Sequence, residues 1–189
     1  MEKIYSSDNE RQIVFLGRGS GVSAQQMNHI KDFRSKCFLH LSPWLLKGSH
    51  SEENFIDRMS YHVMALRRNR VYGVLRLTPF PFSTHRLTNF PVHFLEGKES
   101  FLEINAHASL RQDNKIEKMM LLMAAIHAFQ NIKSDGLVTV TQASLAEKFI
   151  KLGMKENNEK IFLPEFENIP HCFLSTTFAD LFSSPFKLL

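Results

Sequence analysis

Charged residues interrupt apolar stretches at several points of this sequence, and these are the positions where side chains could do chemistry. Arg76 lies inside RVYGVLRLTPF, residues 70–80, which otherwise has the residue types of a half-buried strand. Arg34 lies on the apolar stripe of a predicted helix. Arg76 could reach water from an edge strand, or it could point into a cleft and hold an anion. A buried guanidinium needs a carboxylate or several other acceptors.

Carboxylates occur where they could pair with these arginines. Glu52, Glu53 and Asp57 come just before the predicted strands, and Glu103 lies in the strand-like run FLEINAHASL. Alternation along that run puts Glu103 on one face with the polar residues Asn105, His107 and Ser109, unless a bulge shifts the parity. Two interpretations remain open: a set of structural ion pairs, or a charged cleft for a small zwitterion.

Other motifs are weak. GRGSG lacks the Gly-Lys-Ser/Thr ending of a phosphate-binding loop, and the nine histidines do not have the spacing of metal ligands. Cys37 and Cys172 are too few for a disulfide framework or a zinc site, which favours a reducing compartment. We therefore predict neither a metal nor a cofactor.

The elements that must position these residues follow from apolar periodicity and from breaker residues. We predict a helix from about Ser23 to Leu41, a polar loop over 45–55, and two strands joined by a turn at Arg68-Asn69. FLGRGSG, residues 15–21, and the Pro- and Phe-rich stretch 79–97 are predicted as connections. The remaining predicted elements are the strand FLEINAHASL, the helix IEKMMLLMAAIHAFQNI, the strand GLVTVTQ, the helix ASLAEKFIKLG and two strands near IFL and CFLST. This order predicts an α/β protein with a mixed sheet.

Length and composition are those of one globular domain spanning residues 1–189, with 43% hydrophobic and 22% charged residues. No leader peptide and no stretch long enough to cross a bilayer is visible, so we expect a cytoplasmic protein without membrane insertion. The net charge is +4. Arg67, Arg68 and Arg70 cluster at one turn, but basic and aromatic residues do not interleave, so nucleic-acid binding is disfavoured.

Five stretches, taken in order, resemble the acyl-homoserine-lactone synthases, which make quorum-sensing autoinducers. The spacing of Arg34, Phe38 and Trp44 resembles their N-terminal signature, and EENFID with Tyr61 is similar to their acidic Glu-x-Asp-x-x-Asp loop. GVLRLTP matches Gly-x-x-Arg-Leu-x-Pro, and Leu102-Glu103 matches their strand glutamate. VTVTQASLAEKFIKLGM resembles a strand and helix shared with the wider GNAT acyltransferase superfamily. The resemblance extends over about residues 30–155.

The resemblance implies a GNAT-like mixed central sheet with helices on both faces and an N-acyltransferase activity. In that reaction, the amine of S-adenosylmethionine attacks an acyl carrier protein thioester, and lactone closure then expels methylthioadenosine. Glu103, Arg76 and Asp57 would be the catalytic residues, with Glu103 as the base that takes the amine proton. The substrate-binding residues that it implies are Arg34, Phe38, Trp44, Asn105, His107, Thr139, Val140, Thr141 and Met123. The threonines would border the thioester, and Met123 would line an acyl pocket or simply fill the core.

Two departures leave the acceptor open. Asn54 replaces the first aspartate of the acidic loop, and Ala106 stands where the motif Glu-x-x-Arg has its arginine. The alternatives are an N-acyl amino acid synthase-like enzyme with a different acceptor, and a catalytically silent relative that binds a ligand or a carrier protein. RQDNKI, residues 111–116, lacks the Gly-rich turn by which other GNAT enzymes hold the pyrophosphate of acetyl-CoA. This absence favours a carrier-protein donor.

Overall fold

The computed structural model describes residues 1–7, 12–41, 50–109, 114–164 and 167–183. The strands are β1 (Glu2–Ser7), β2 (Gln12–Arg18), β3 (Tyr61–Arg67), β4 (Arg70–Pro79), β5 (Phe101–Ser109), β6 (Gly136–Gln142), β7 (Lys155–Ile161) and β8 (His171–Thr177). The α-helices are α1 (Ala24–Leu41), α2 (His50–Met59), α3 (Ser83–Leu87), α4 (Asn114–His127), α5 (Ala146–Ile150) and α6 (Phe178–Ser183). The strand order is β1-β2-β3-β4-β5-β6-β8-β7.

The chain forms two compact units, of which the first comprises residues 1–78 and 105–126 and the second comprises residues 79–104 and 127–189. Strand β5 contributes its first half to the second unit and its second half to the first. The single domain expected over 1–189 stays a prediction, and each unit is described by itself.

The first unit is built on the antiparallel strands β1 to β4. The predicted turn between β3 and β4 is confirmed, and both of its central residues have positive φ, 49° at Arg68 and 61° at Asn69. These angles give the two-residue turn that matches the twist of paired strands. Ile30 and Phe33 of α1 pack with apolar residues of β3 and β4 in one buried cluster.

Two predictions for the first unit are wrong. Residues 15–18 belong to strand β2, which pairs with β3 and buries Leu16. Residues 50–55 are helical, because α2 runs from His50 to Met59. This helix presents Ile56 and Asp57 to the interior and is mostly polar elsewhere, so its sequence resembles a loop. Residues 45–49 lie outside the described part of the chain.

The second unit contains both parallel and antiparallel pairs, so the predicted mixed sheet is confirmed. Strand β5 runs parallel to β6 at three residue pairs, from Phe101↔Gly136 to Glu103↔Val138. Strand β6 is antiparallel to β8 along its whole length. The Pro- and Phe-rich connection contains α3 and buries Phe82, Phe90 and Phe94 in the apolar core of this unit. The segment is therefore structural although it lacks strand or helix periodicity.

Within the described residues, no helix combines the length and the apolar character that a membrane span requires. Both cysteines are free thiols.

Candidate functional site

The charged side chains of the first unit converge on Asp57. Arg34 of α1 donates from Nη1 and Nη2 to the two carboxylate oxygens of Asp57, at 3.1 and 2.8 Å. Arg76 of β4 donates from Nη1 to Asp57 Oδ1 and to Glu53 Oε1, each at 2.8 Å. Arg34, Asp57 and Arg76 are 6%, 2% and 4% exposed. Arg76 therefore does not reach open water from a sheet edge. It holds two anions of the protein itself.

Polar residues of the sheet extend this charged cluster. Asn105 accepts a hydrogen bond from Arg76 Nε at 2.6 Å and donates from Nδ2 to Thr78 Oγ1 at 2.8 Å. Thr78 shares a further hydrogen bond of 2.9 Å with Ser60. Each bond fixes the orientation of the next side chain, so the Arg76 guanidinium is held from both its Nε and Nη1 sides.

The cluster keeps Asp57 and Arg76 ionised. Burial opposes ionisation of Asp57, but the adjacent guanidinium groups of Arg34 and Arg76 outweigh it and hold the pKa of Asp57 well below its usual range. Burial likewise opposes the charge of Arg76, but Glu53 and Asp57 raise the pKa of Arg76 above its ordinary value. Glu53 is the accessible carboxylate of the cluster, because its side chain is 35% exposed.

His62 lies beneath the cluster and was not predicted as part of it. It pairs with Arg76 in the β3–β4 register, and its Nε2–H donates to the backbone oxygen of Asp57 at 2.8 Å. Burial, reinforced by Arg34 and Arg76, lowers the pKa of His62 to about 4 despite its bond to Asp57. The ring is therefore neutral at pH values near 7, and its buried Nδ1 has no hydrogen-bond partner among the described residues.

Glu103 belongs to the second unit, where it binds the first residues of α3. Its Oε2 accepts hydrogen bonds from Ser83 N at 2.7 Å and Ser83 Oγ at 2.6 Å. Its Oε1 accepts from Thr84 N at 3.3 Å and from the Thr84 hydroxyl. A carboxylate has about four acceptor positions, so these donors occupy most of what Glu103 could offer to a substrate amine. These bonds tie α3 to β5, and the catalytic role of Glu103 stays a prediction.

Replacing Glu103 by glutamine is expected to lower the free energy of unfolding by about 2–3 kcal/mol, because an amide group then faces donors that held a carboxylate. Urea denaturation measures the change. Glu99→Gln, an exposed position two residues before β5, is the control and should have little effect. A role as the base would appear separately, as loss of acyl transfer by E103Q under conditions in which the variant is still folded.

The other predicted site residues have distinct locations. Thr139 is buried and donates its hydroxyl to the backbone oxygen of Ile104 at 2.9 Å, while Val140 and Thr141 are half-buried on β6. His107 is half-buried on β5, and Met123 is half-buried on α4. The side chain of Phe38 and the whole of Trp44 lie outside the described part of the chain. The roles of all these residues stay predictions.

The helix that carries Met123 contributes at least one methionine to the core of the first unit. Met120 is fully buried, and a Cβ added at Gly73 of β4 would lie 2.6 Å from its Cε. Gly73 therefore lets the helix approach the strand closely. For Met120, this packing favours core filling over an acyl pocket.

The departures Asn54 and Ala106 have different surroundings. Asn54 is exposed on α2 and accepts a hydrogen bond from Lys31 Nζ. Lys31 also lies 3.6 Å from Asp57, which adds a positive charge at the exposed side of the cluster. Ala106 has a φ of 47°, in the left-handed region that is uncommon for residues other than glycine. The strand is therefore irregular at Ala106, and the alternation predicted along β5 is interrupted there, which is the exception that the prediction allowed for.

Two residues of the cluster were missed as site residues. Glu53 was recognised only as one of several nearby acids, and its helical spacing from Asp57 was hidden by the loop prediction. His62 is a single histidine in an apolar strand, which is a weak signal. Its register opposite Arg76 could have identified it once the hairpin was predicted. Within the described residues, no group of histidine, cysteine and acidic side chains could hold a metal ion.

Comparisons with known proteins give the fold. No family model and no curated protein sequence matches the chain. The structure is similar to that of FeeM, an N-acyl amino acid synthase from uncultured soil microbes, at 11% identity and a TM-score of 0.69, covering 91% of this chain and 93% of the other. It is similar to the AHL synthase LasI, at 16% identity and a TM-score of 0.66, covering 88% and 90%. An acyl-CoA N-acyltransferase from Pseudomonas aeruginosa matches at 16% identity and 0.61, covering 86% and 97%.

The chain has a GNAT-like fold. The predicted GNAT-like architecture is therefore confirmed, and the resemblance to the acyl-homoserine-lactone synthases holds at the level of the fold. In this GNAT fold, the charged cluster of Arg34, Glu53, Asp57 and Arg76 is made by α1, α2 and β4. The parallel pair of β5 and β6 carries Glu103 and Thr139.

Proposed function

We propose that the chain is an N-acyltransferase that moves an acyl group from an acyl carrier protein to the amine of a small metabolite. S-adenosylmethionine is the first candidate acceptor, which would make the chain an acyl-homoserine-lactone synthase active in the cytoplasm. The observation that carries the proposal is the end of the β5–β6 ladder within a GNAT fold. The described parallel pairs stop at Glu103↔Val138, whereas β6 continues to Gln142.

The end of this ladder supports binding of an extended donor arm. After Val138, the hydroxyl of Thr139 binds the Ile104 carbonyl, and the described ladder pairs of β6 from Thr139 onward are with β8. Backbone groups that a neighbouring strand does not use can pair with an extended ligand as a strand would. The amide groups of a pantetheine arm would make such bonds to β6, which brings the thioester to this strand.

The charged cluster supports an acceptor that carries both charges. Arg76 and Arg34 would hold a carboxylate, and Asp57 would receive a cationic group. The amine attacks the thioester carbonyl, the carbon–nitrogen bond forms, and the thiol of the carrier leaves after the amine has lost a proton. In a lactone synthase, a carboxylate oxygen of the acceptor then displaces methylthioadenosine from its own side chain.

The second candidate is an N-acyl amino acid synthase. It is favoured by the similarity to FeeM, which covers 91% of this chain, and by Ala106 in place of the family arginine. This enzyme would use the same cluster for the carboxylate of a free amino acid. It would form the amide and stop there, because its acceptor has no leaving group.

Mass spectrometry distinguishes these activities. The purified chain is mixed with carrier proteins bearing acyl chains of several lengths and with either S-adenosylmethionine or amino acids. Methylthioadenosine together with an acyl lactone identifies the synthase, and an N-acyl amino acid without methylthioadenosine identifies the second candidate. Arg76→Met should abolish either product, whereas Arg58→Met, at an exposed position of α2, should not. Absence of any acylated product would contradict both and favour a silent binding protein.

A further inference from the structure

Glu53 occupies the position where an anionic ligand of the cluster would bind. Its Oε1 lies 2.8 Å from Arg76 Nη1 and 3.8 Å from Arg34 Nη1, so one carboxylate oxygen is placed between two buried guanidinium groups. Planar guanidinium groups converging on one oxygen are the arrangement that recognises carboxylates. The described contacts of Glu53 with these arginines use Oε1 only.

Glu53 differs from Asp57 in being replaceable. Asp57 is buried and satisfies Arg34 through both of its oxygens. Glu53 is 35% exposed, and when its side chain leaves the cluster, Arg34 and Arg76 both keep their hydrogen bonds to the carboxylate of Asp57. Arg76 would keep its bonds to Asp57 and Asn105. Departure of Glu53 therefore opens an anion position on Arg76 at small cost to the fold.

The charge balance of the cluster favours a ligand that places one negatively charged group at this position. Arg34 and Arg76 are balanced by Asp57 and Glu53, so the cluster is neutral as it stands. Withdrawal of Glu53 leaves one excess positive charge on the two arginines. A carboxylate group of the ligand restores this local balance whatever charge the rest of the ligand carries, whereas a ligand without a carboxylate does not.

We propose that Glu53 is an internal competitor that occupies the carboxylate subsite of the acceptor and is displaced when an α-amino carboxylate binds. This inference rests on the proposed function, since it names the acceptor class of the same site. A side chain that occupies the subsite lowers the apparent affinity for the ligand. The apparent affinity equals the intrinsic affinity multiplied by the fraction of molecules in which the subsite is free. Glu53 thereby weakens acceptor binding while it holds Arg76 in place.

The test is calorimetric binding with two pairs of ligands that differ only in the carboxylate. The pairs are S-adenosylmethionine with decarboxylated S-adenosylmethionine, and L-phenylalanine with phenethylamine. Glu53→Gln is expected to bind the carboxylate member about three- to tenfold more tightly than the unmodified chain. The amine lacking a carboxylate should gain nothing. The pair that shows the effect identifies the source of the carboxylate.

Asp32→Asn is the matched control, because it removes the same charge from an exposed position of α1, two residues before Arg34. It should leave the affinities unchanged. Glu53→Ala is a second variant that should reproduce the gain. Melting temperatures of all variants verify that they are folded.

Several results would overturn the inference. One is that both Glu53 variants bind the carboxylate ligands no more tightly than the unmodified chain does. Another is that Asp32→Asn gains as much affinity for these ligands as Glu53→Gln does. The third is that neither the unmodified chain nor any variant binds a carboxylate ligand. The outcome is separable from that of the proposed function. Tighter carboxylate binding by E53Q without any acyl transfer would support the carboxylate subsite and contradict the proposed enzyme activity. Acyl transfer to both members of a pair with equal efficiency would support the enzyme activity and contradict the subsite.

Discussion

Replacing Asp57 by alanine is expected to lower the free energy of unfolding by about 3–5 kcal/mol, the largest effect of any single substitution in the charged cluster. Asp57 neutralises both Arg34 and Arg76, and all three side chains are buried. Its removal leaves two guanidinium groups in the interior with Glu53 as their remaining carboxylate. Urea denaturation of the variant and of the unmodified chain measures the loss.

Two further variants separate this mechanism from a general loss of packing. Asp32→Ala removes an exposed acid of α1 and should change stability by no more than about 0.5 kcal/mol. Adding Arg34→Met to Asp57→Ala should recover part of the loss, because one of the unpaired cations is then gone. A loss below about 1 kcal/mol for Asp57→Ala, or no recovery in the double variant, would mean that water already solvates these charges.

Acid is expected to destabilise the protein through His62 before Asp57 is protonated, because the pKa of Asp57 is held well below its usual range. The pKa of His62 is lowered from an ordinary value of 6.5 to about 4 in the folded protein, first by burial. The unfolded chain therefore binds a proton at a higher pH than the folded chain does. Stability contributed by the neutral ring is present above pH 6.5 and is lost as the pH falls from 6.5 toward 4.

The expected loss from this residue is about 2–3 kcal/mol between about pH 7 and pH 4.5. Denaturation at a series of pH values measures it. His62→Gln keeps a donor for the Asp57 carbonyl and cannot titrate, so its stability should fall less steeply over the same range. Burial also lowers the pKa of His171. His171 therefore adds to the loss of stability in acid both in His62→Gln and in the unmodified chain. His93→Gln, at an exposed position, should keep the full slope. If stability falls equally steeply with pH in His62→Gln and in the unmodified chain, the pKa of His62 is not lowered by folding.

Elements fixed by interactions between neighbouring residues could be predicted from the sequence, and elements fixed by contacts between distant segments could not. The hairpin of β3 and β4 was predicted because its apolar alternation and its Arg68-Asn69 turn are local. Strand β2 was missed because Leu16 is buried by pairing with β3, about 45 residues away in the sequence. Helix α2 was missed because its sequence is mostly polar. Ile56 and Asp57 face the interior, which gives too few apolar positions for a helical period to be visible.

The same distinction applies to the charged cluster. Arg76 lies inside a strand and Arg34 lies on an apolar helix face. A guanidinium buried at such a position needs an anion whatever the fold, so both residues could be identified from residue type and spacing. Their partners could be narrowed to a few acids. The choice among those acids depends on which helix covers which strand, and that choice placed Glu53 and Asp57 on the arginines.

The amino-acid sequence by itself therefore determined the α/β class, the mixed sheet and the two arginines that need anions. These follow from periodicity, turn chemistry and the cost of burying charge, all of which act locally. The GNAT-like arrangement was implied by the resemblance of the motifs to a known family. Tertiary structure alone decided that Glu103 binds Ser83 and Thr84, that His62 lies under Asp57, and that Glu53 contacts Arg76. Those outcomes depend on hydrogen-bond geometry between segments about 20 residues apart or more in most cases, and a difference of one position on a helix turns a side chain by about 100°.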